Sequence, residues 1–180
     1  RPPPPPHCFF FKHKTSYSIG GRLVGSVMFI RDSNYDLKLR SQNEFEIPWI
    51  ERILAVDIAT PHERIEFYNT YIPPGSSNRW KKIETLEGLY KGLAKHTEKK
   101  RILCGDFNTP QDELLKHGVC TFAQKINKKG VPKLKKIFRG GSGNRWDQGE
   151  RNVLEGLKEF NLVDAYRQLH PIPKLSLIHI

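Results

Sequence analysis

The chain has 180 residues, enough for one domain with a sizeable hydrophobic core. Lysine plus arginine outnumber aspartate plus glutamate by 30 to 19, and the formal net charge of +11 favours a polyanionic partner such as nucleic acid or an anionic membrane surface. A hydrophobic share of 37% with 11% aromatic residues excludes global disorder, and no apolar run approaches the roughly 20 residues that a membrane-spanning helix needs.

The beginning of the chain predicts a tail followed by a strand. Arg1–His7 contains five consecutive prolines, which favour an extended polyproline conformation and do not join a packed core. We therefore expect a disordered, proline-rich tail over 1–14 and a folded domain over 15–174. The first β-strand of that domain is predicted at Leu23–Ile30.

Two further strands are predicted at Ile53–Ala59 and Ile65–Ile72. The connection between them is short, which favours an antiparallel hairpin. Side chains alternate along a strand, so Asn69 and Tyr71 are expected on the same face, near the end of the third strand.

A helix is predicted from about Asn78 to Ala94, with Ser76 or Ser77 as its N-cap. Its apolar residues recur at near-helical spacing; they are Trp80, Ile83, Leu86, Leu89, Tyr90 and Leu93. A second helix is predicted near Glu150–Phe160, with Asp147 as its N-cap and Glu150 as the partner in a capping box.

Between the two helices, a short strand at Ile102–Cys104 is expected to be buried. Further along, 125–139 carries seven positive charges and no negative one. This basic segment is predicted either to contact a nucleic-acid backbone or to be a solvated, mobile loop. Strands that alternate with helices, with one hairpin among them, predict a mixed α/β layered domain.

The most informative segment is Gly105–Pro110. A hydrophobic strand leads directly to Asp106 and Asn108, at a strand end where α/β folds place their sites. An acid there can hold a divalent cation or take a proton from water, and an amide can orient a phosphate oxygen. The alternative is an Asx-turn, since Asp and Asn stabilise loops in many proteins.

Tyr71 near the end of another strand is the second candidate, and its alternative is a boundary tyrosine with its hydroxyl in water.

Four segments resemble the endonuclease/exonuclease/phosphatase superfamily, and above all its exonuclease III-like branch. Gly105–Asn108 is similar to the G-D-x-N motif of the superfamily, and Asn69–Gly75 to the branch's N-x-Y-x-P-x-G segment. Arg145–Arg151 resembles R-W-x-D-x-G-E-R with one residue fewer, and Leu162–Arg167 is similar to L-V-D-x-x-R. The motifs occur in the same order as in the branch, and the resemblance extends over about 19–171.

The resemblance implies a fold and a reaction. The fold would be an α+β, deoxyribonuclease I-like sandwich of mixed, largely antiparallel sheets flanked by helices. The reaction would be metal-dependent hydrolysis of a phosphodiester in DNA, by either an exonuclease III-like enzyme or an abasic-site endonuclease, with Mg²⁺ or Mn²⁺ as the cofactor and duplex DNA as the partner. Asp106 would match the acid that activates water beside the metal, Asn108 the amide on the phosphate or metal shell, and Tyr71 the tyrosine on the phosphate, with Asn69 in support.

The family pattern also includes a metal-binding Glu upstream and an Asp-His pair downstream that this chain does not match. We therefore expect the domain to be truncated at both ends and the 180-residue chain to be inactive. The final residues 175–180 resemble the translation of a sequencing adapter, which indicates a non-native tail.

Several residues outside the motif pair are candidates for nucleic-acid contact. Trp146 is expected either to stack on a base or abasic gap or to pack in the core. The full predicted set is Trp146, Arg145, Arg151, Lys128, Lys129, Lys135 and Lys136. The open alternatives for the function are a catalytically silent nucleic-acid-binding fragment, and a phosphatase or ribonuclease of the same superfamily.

The three cysteines are odd in number and widely spaced, which excludes a disulfide framework. We therefore expect a reducing compartment and a cytoplasmic protein. We also expect no membrane association and a monomer.

Overall fold

The computed structural model describes residues 36–40, 44–78, 80–95, 98–114, 118–165 and 168. The predicted strand at Leu23–Ile30 and the segments 1–14 and 175–180 lie outside these residues.

A four-stranded sheet is built from β1 (Asp36–Leu39), β2 (Ile53–Ala59), β3 (Arg64–Tyr71) and β4 (Arg101–Asp106), in that spatial order. The pairs β1–β2 and β2–β3 are antiparallel, whereas β3 and β4 are parallel. The predicted hairpin is confirmed. Its first strand has the predicted bounds, and its second strand begins and ends one residue earlier than expected.

The crossover from β3 to β4 contains a helical turn, α1 (Gly75–Asn78), and the helix α2 (Lys81–Leu93). Parallel neighbours require a crossover of this kind, which returns the chain to the same edge of the sheet. The predicted capping by Ser76 or Ser77 is wrong, because both serines lie inside α1 and Trp80 is the residue that precedes α2. The apolar stripe is confirmed at Ile83, Leu86, Leu89 and Leu93, which are buried.

The last long helix, α3 (Gly143–Leu154), begins seven residues before the predicted Glu150. Its N-cap is Ser142, whose side chain accepts a hydrogen bond from the backbone N–H of Arg145 at 3.3 Å. The predicted N-cap Asp147 is therefore wrong. The spacing of Asp147 and Glu150 matches a capping box, but both carboxylates are bound by side chains of other elements.

Three antiparallel ribbons lie between β4 and α3 in the sequence. They pair β5 (Asp112–Leu114) with β6 (Gly118–Cys120), β7 (Gln124–Ile126) with β8 (Pro132–Leu134), and β9 (Ile137–Phe138) with β10 (Gly141–Ser142). Most of the basic segment therefore belongs to paired strands and the turns between them.

The helices cover one face of the sheet. Along β3, Tyr68 and Thr70 point toward the helices and are buried, whereas the alternate residue Phe67 is only partly buried. Ile102 of β4 lies opposite Phe67 and is 46% exposed. The expectation of a buried strand is wrong for Ile102, because β4 is the outermost strand of the sheet among the described residues and Ile102 lies on the face away from the helices; Leu103 and Cys104 are partly buried.

The main core forms between the sheet and the helices. Its members come from both layers and include Ile53, Ala55, Ile72, Ile83, Leu86, Leu89, Trp146 and Val153. The mixed α+β class expected from the sequence is confirmed for the described residues. Across the described ranges, no helix has both the length and the apolar character to cross a membrane.

Candidate active site

The carboxyl ends of β3 and β4 meet at one edge of the sheet. Their parallel register places Tyr71 opposite Asp106 and Asn69 opposite Cys104. The pairing continues one step past β3, where the backbone N–H of Ile72 donates to the carbonyl oxygen of Asp106 at 2.8 Å. The two motifs, at least 30 positions apart in sequence, are thus brought side by side.

Gly105 permits this close approach of the two strands. Its φ of +135° lies in a region that residues with a side chain rarely adopt. A Cβ added at Gly105 would also lie 1.9 Å from the carbonyl oxygen of Thr70. The glycine that precedes Asp106 is therefore a steric requirement for the end of β4.

Asp106 and Asn108 form a hydrogen-bonded turn. The backbone N–H of Asn108 donates to Oδ1 of Asp106 at 3.0 Å, which is the geometry of an Asx-turn. The Nδ2 of Asn108 donates to the carbonyl oxygen of Ile72 at 2.8 Å and lies 3.4 Å from Oδ2 of Asp106. The Asx-turn, which the sequence left open as an alternative, is therefore present. The same turn brings the acid and the amide together at the end of the sheet.

The positive φ of Asn108, +48°, is compatible with its residue type, because asparagine tolerates the left-handed region better than most residues. With Nδ2 bound to Ile72, the remaining amide atom Oδ1 is the one that can accept a hydrogen bond or approach a cation. The Asp106 side chain is exposed, so its carboxylate is open to a ligand from solvent.

Arg52 is a residue of this edge that the sequence did not single out. Its guanidinium lies 4.8 Å from the ring centroid of Tyr71 and 4.8 Å from that of Trp49. The antiparallel register, which pairs Ile53 with Thr70, places Arg52 beside Tyr71. Nothing in the local sequence marks this arginine, because its position depends on the pairing of two strands.

A buried lysine reaches the same turn from the helices. Nζ of Lys82 donates to the carbonyl oxygen of Asn108 at 2.8 Å and to Oε1 of Glu150 at 2.5 Å. The pKa of Lys82 is lowered, because the effect of burial is larger than the opposing effect of the charge and hydrogen bond of Glu150. In the sequence, Glu150 is part of the Arg145–Arg151 segment and of a predicted capping box, and nothing there indicates its pairing with Lys82, 68 positions away.

The nucleic-acid candidates of the α3 region are buried or already have partners within the protein. Trp146 is 0% exposed, so its ring packs in the core and is not available to stack on a base. Arg145 forms two hydrogen bonds with Glu87, at 2.8 and 2.7 Å, and Arg151 pairs with Asp147 at 3.0 Å. Both guanidinium groups are therefore already paired with carboxylates.

The lysines of the basic segment have a different environment. Lys128, Lys129 and Lys136 are exposed, whereas Nζ of Lys135 donates to the carbonyl oxygen of Phe122 at 3.1 Å. The turn between β7 and β8 is held by Asn127, whose Oδ1 accepts from the backbone N–H groups of Lys129 and Val131 at 2.8 and 3.0 Å. The segment presents its charges on an ordered ribbon.

The donor atoms at the sheet edge fit part of a magnesium site. Mg²⁺ takes oxygen ligands and is commonly held by one or two carboxylates, with water and substrate phosphate completing the shell. The Asp106 carboxylate and Oδ1 of Asn108 supply oxygen donors of this kind. Among the residues that the structure describes, no group of three or more His, Cys, Asp or Glu could hold a metal ion.

In comparisons with known proteins, no family model matches the chain and no curated protein matches it significantly. The support for a function therefore comes from the geometry at the carboxyl ends of β3 and β4 and from the four motifs.

Proposed function

We propose that this chain belongs to a metal-dependent phosphodiester hydrolase that acts on DNA, with the deoxyribonuclease I-like sandwich of the exonuclease III-like branch. The observation that carries the proposal is the register of β3 and β4. It places Tyr71 opposite Asp106, with Asn108 held in the next turn by both strands. Two motifs that are distant in sequence therefore contribute an acid, an amide and a phenol to one edge.

Each of these groups has a role in the proposed reaction. Asp106 would take the proton of the attacking water, since its carboxylate is exposed and oriented by Asn108. The Asn108 amide and the Tyr71 hydroxyl would orient the oxygens of the scissile phosphate, with Asn69 one step behind Tyr71 on the same face. A divalent cation held by Asp106 and Asn108 would neutralise charge that develops on the phosphate.

The basic ribbon β7–β8 favours DNA over a small phosphorylated ligand. Lys125 lies directly opposite Lys133, and both are exposed. Like charges in a direct cross-strand pair are destabilising, and a polyanion bound across the ribbon would offset that repulsion. Lys128 and Lys129 extend the same positive surface at the turn. The formal net charge of +11 also favours DNA as the ligand.

A substrate panel tests the proposal. We expect the longest open reading frame that contains this sequence to cleave duplex DNA with one abasic site in the presence of Mg²⁺, and to lose the activity in EDTA. Inositol phosphates and single-stranded RNA should be cleaved far more slowly. Preferential release of phosphate from inositol phosphates would favour a phosphatase, and preferential cleavage of RNA would favour a ribonuclease.

A catalytically silent nucleic-acid-binding module is the second candidate. The observation that favours it is the row of exposed lysines on a ribbon whose turn is held by hydrogen bonds from Asn127. Salt-dependent binding of duplex DNA with no Mg²⁺-dependent cleavage of any substrate in the panel would select this candidate.

A further inference from the structure

A buried ion pair lies directly beneath the candidate active site. The side chains of Lys82 on α2 and Glu150 on α3 are 1% and 0% exposed, and Nζ lies 2.5 Å from Oε1. Removing two charges from water is costly, and apolar residues of similar size can often replace such a pair without loss of stability. Packing of the two helices alone does not require charged residues at these positions.

The carboxylate of Glu150 is fixed by donors from three directions. Oε1 accepts from Lys82 and from Nε1 of Trp146 at 2.9 Å, and Oε2 accepts from the backbone N–H of Phe122 at 2.9 Å. Each oxygen is therefore held, and the position of Oε1 determines where the lysine ammonium can lie.

The ammonium of Lys82 is fixed in turn. Besides Glu150, it donates to the carbonyl oxygen of Asn108 at 2.8 Å, and it lies 4.3 Å from the ring centroid of Phe122. The carboxylate, the carbonyl group and the aromatic face surround the charge, so that one of its hydrogen bonds is directed at the turn after β4.

Asn108 needs this support more than an ordinary turn residue does. Its φ is +48°, and its backbone N–H is the donor that orients the carboxylate of Asp106. The carbonyl group of Asn108 belongs to the peptide group that follows it, so a rotation of that group would change ψ at Asn108, the residue whose backbone N–H and Nδ2 hold the turn. The hydrogen bond from Lys82 opposes that rotation from the side of the helices.

We infer that Lys82, held by Glu150, is a positioning residue that keeps Asn108, and through it Asp106, in the geometry required at the phosphate. Lys82 acts through the carbonyl group of Asn108 and does not touch the substrate. The inference rests on the proposed hydrolase activity for its kinetic consequence, whereas the positioning itself can be measured without any substrate.

The test uses the double variant Lys82→Met/Glu150→Gln. Single substitution of Lys82 leaves a buried carboxylate without its cation, and the variant could fail to fold. The double variant removes both charges and retains an amide oxygen that can accept from Trp146 or Phe122. Circular dichroism establishes that it folds before the other measurements are made.

The first readout is the backbone ¹⁵N order parameters of Asn108 and of Thr109, whose N–H belongs to the same peptide group as the carbonyl oxygen that Lys82 binds. We expect a value near 0.85 in the wild type, typical of rigid backbone, and a value below about 0.6 in the double variant. The second readout is cleavage of abasic duplex DNA, for which kcat should fall roughly tenfold to a hundredfold while KM changes less than about threefold.

Glu87→Gln is the matched control, because Glu87 and Arg145 form another ion pair between α2 and α3 that does not contact the turn. This variant should leave the order parameter of Asn108 unchanged. An unchanged order parameter, or unchanged kcat, in the folded double variant would overturn the inference. If the wild type cleaves nothing, the proposed function fails, and the order parameters alone decide whether Lys82 positions the turn.

Discussion

Backbone conformation at two residues determines whether the candidate site can form. Gly105 allows β4 to approach Thr70, and Asn108 adopts a positive φ that lets the turn fold back onto Asp106. Both residue types belong to the G-D-x-N motif, so the motif encodes the shape of the strand end as well as its chemistry.

Gly105→Ala should therefore destabilise the protein strongly. The backbone strain costs roughly 1–3 kcal/mol, and the overlap with the Thr70 carbonyl oxygen adds to it. We expect a loss of about 3 kcal/mol or more in the free energy of unfolding measured with urea. Gly130→Ala is the control, since its φ is also positive but a Cβ there meets nothing within 4 Å, and it should cost about 1 kcal/mol. Equal losses in the two variants would contradict the steric role of Gly105.

Asp106, Asn108 and Tyr71 could be selected from the sequence because their motifs are local. Lys82 and Arg52 could not, because each reaches the site through a contact with a residue far away in the chain. Glu150 lies in a local motif, but its role depends on its contact with Lys82. Trp146 shows the opposite problem. Its motif is local, but only the packing of α3 against α2 shows that the ring is inside the core.

Among the ribbons, β7–β8 is the element with a predicted role in binding. Its register, its turn and its exposure together place Lys125, Lys128, Lys129 and Lys133 on the surface, whereas Lys135 is bound to Phe122. The sequence indicated the charge of this segment but not which lysines are free to contact a ligand.

Replacing Lys128, Lys129 and Lys133 with glutamine should weaken DNA binding and reduce its dependence on salt. The slope of log K against log salt is negative, and each lost phosphate contact reduces its magnitude by about 0.9. The magnitude of the slope should therefore fall by about 2 to 3 in the triple variant. The matched control replaces Lys91, Lys95 and Lys158, which are exposed elsewhere, and should change the slope little. Equal changes in the two triple variants would indicate an effect of net charge alone.

The opposite end of the sheet contains a charged network with a structural role. Glu66 of β3 accepts hydrogen bonds from Arg40 at 2.6 Å, from Lys99 at 2.8 Å and from the Tyr68 hydroxyl at 2.7 Å. Burial raises the pKa of Glu66, but the hydrogen bonds from Lys99, Tyr68 and Arg40 outweigh it, so the pKa is lowered.

The lowered pKa predicts the direction of a pH effect on stability. The contribution of Glu66 is present above the ordinary carboxyl pKa of 4.5 and is lost as the pH falls through the lower, folded-state value. We expect Glu66→Gln to be less stable than the wild type at about pH 6, and the difference to shrink toward about pH 3. Urea unfolding at several pH values measures it, and a difference independent of pH would contradict the role of this carboxylate.

The described part of the molecule has one mixed four-stranded sheet with helices packed on one face, and three two-stranded ribbons. The layering of sheet and helices could largely be predicted. Hydrophobic periodicity gave the helical stripe and the hairpin, because both patterns are local. The burial of β4 could not be predicted in the same way. An apolar strand is compatible with the centre or the edge of a sheet, and only the spatial order of the strands shows that β4 is the outermost strand among the described residues.

The same order of strands explains why the candidate site lies where it does. The crossover through α2 makes β4 parallel to β3, so the carboxyl ends of the two strands lie side by side. The same helix carries Lys82, which contacts the turn after β4. Sheet, crossover helix and turn therefore act together in the proposed chemistry.

The measurement that decides whether Asp106 carries hydrolysis is single-turnover, Mg²⁺-dependent cleavage of abasic duplex DNA by the Asp106→Asn variant of the longest open reading frame that contains this sequence. Asparagine can still accept the hydrogen bond from Asn108, so the turn is retained while the proton acceptor is lost. Asp112→Asn is the control, an exposed aspartate that accepts from the backbone N–H of Glu113. We expect the cleavage rate to fall at least about 100-fold in Asp106→Asn and to stay near that of the wild type in Asp112→Asn. A rate near that of the wild type in Asp106→Asn would contradict the assignment of this edge as the active site.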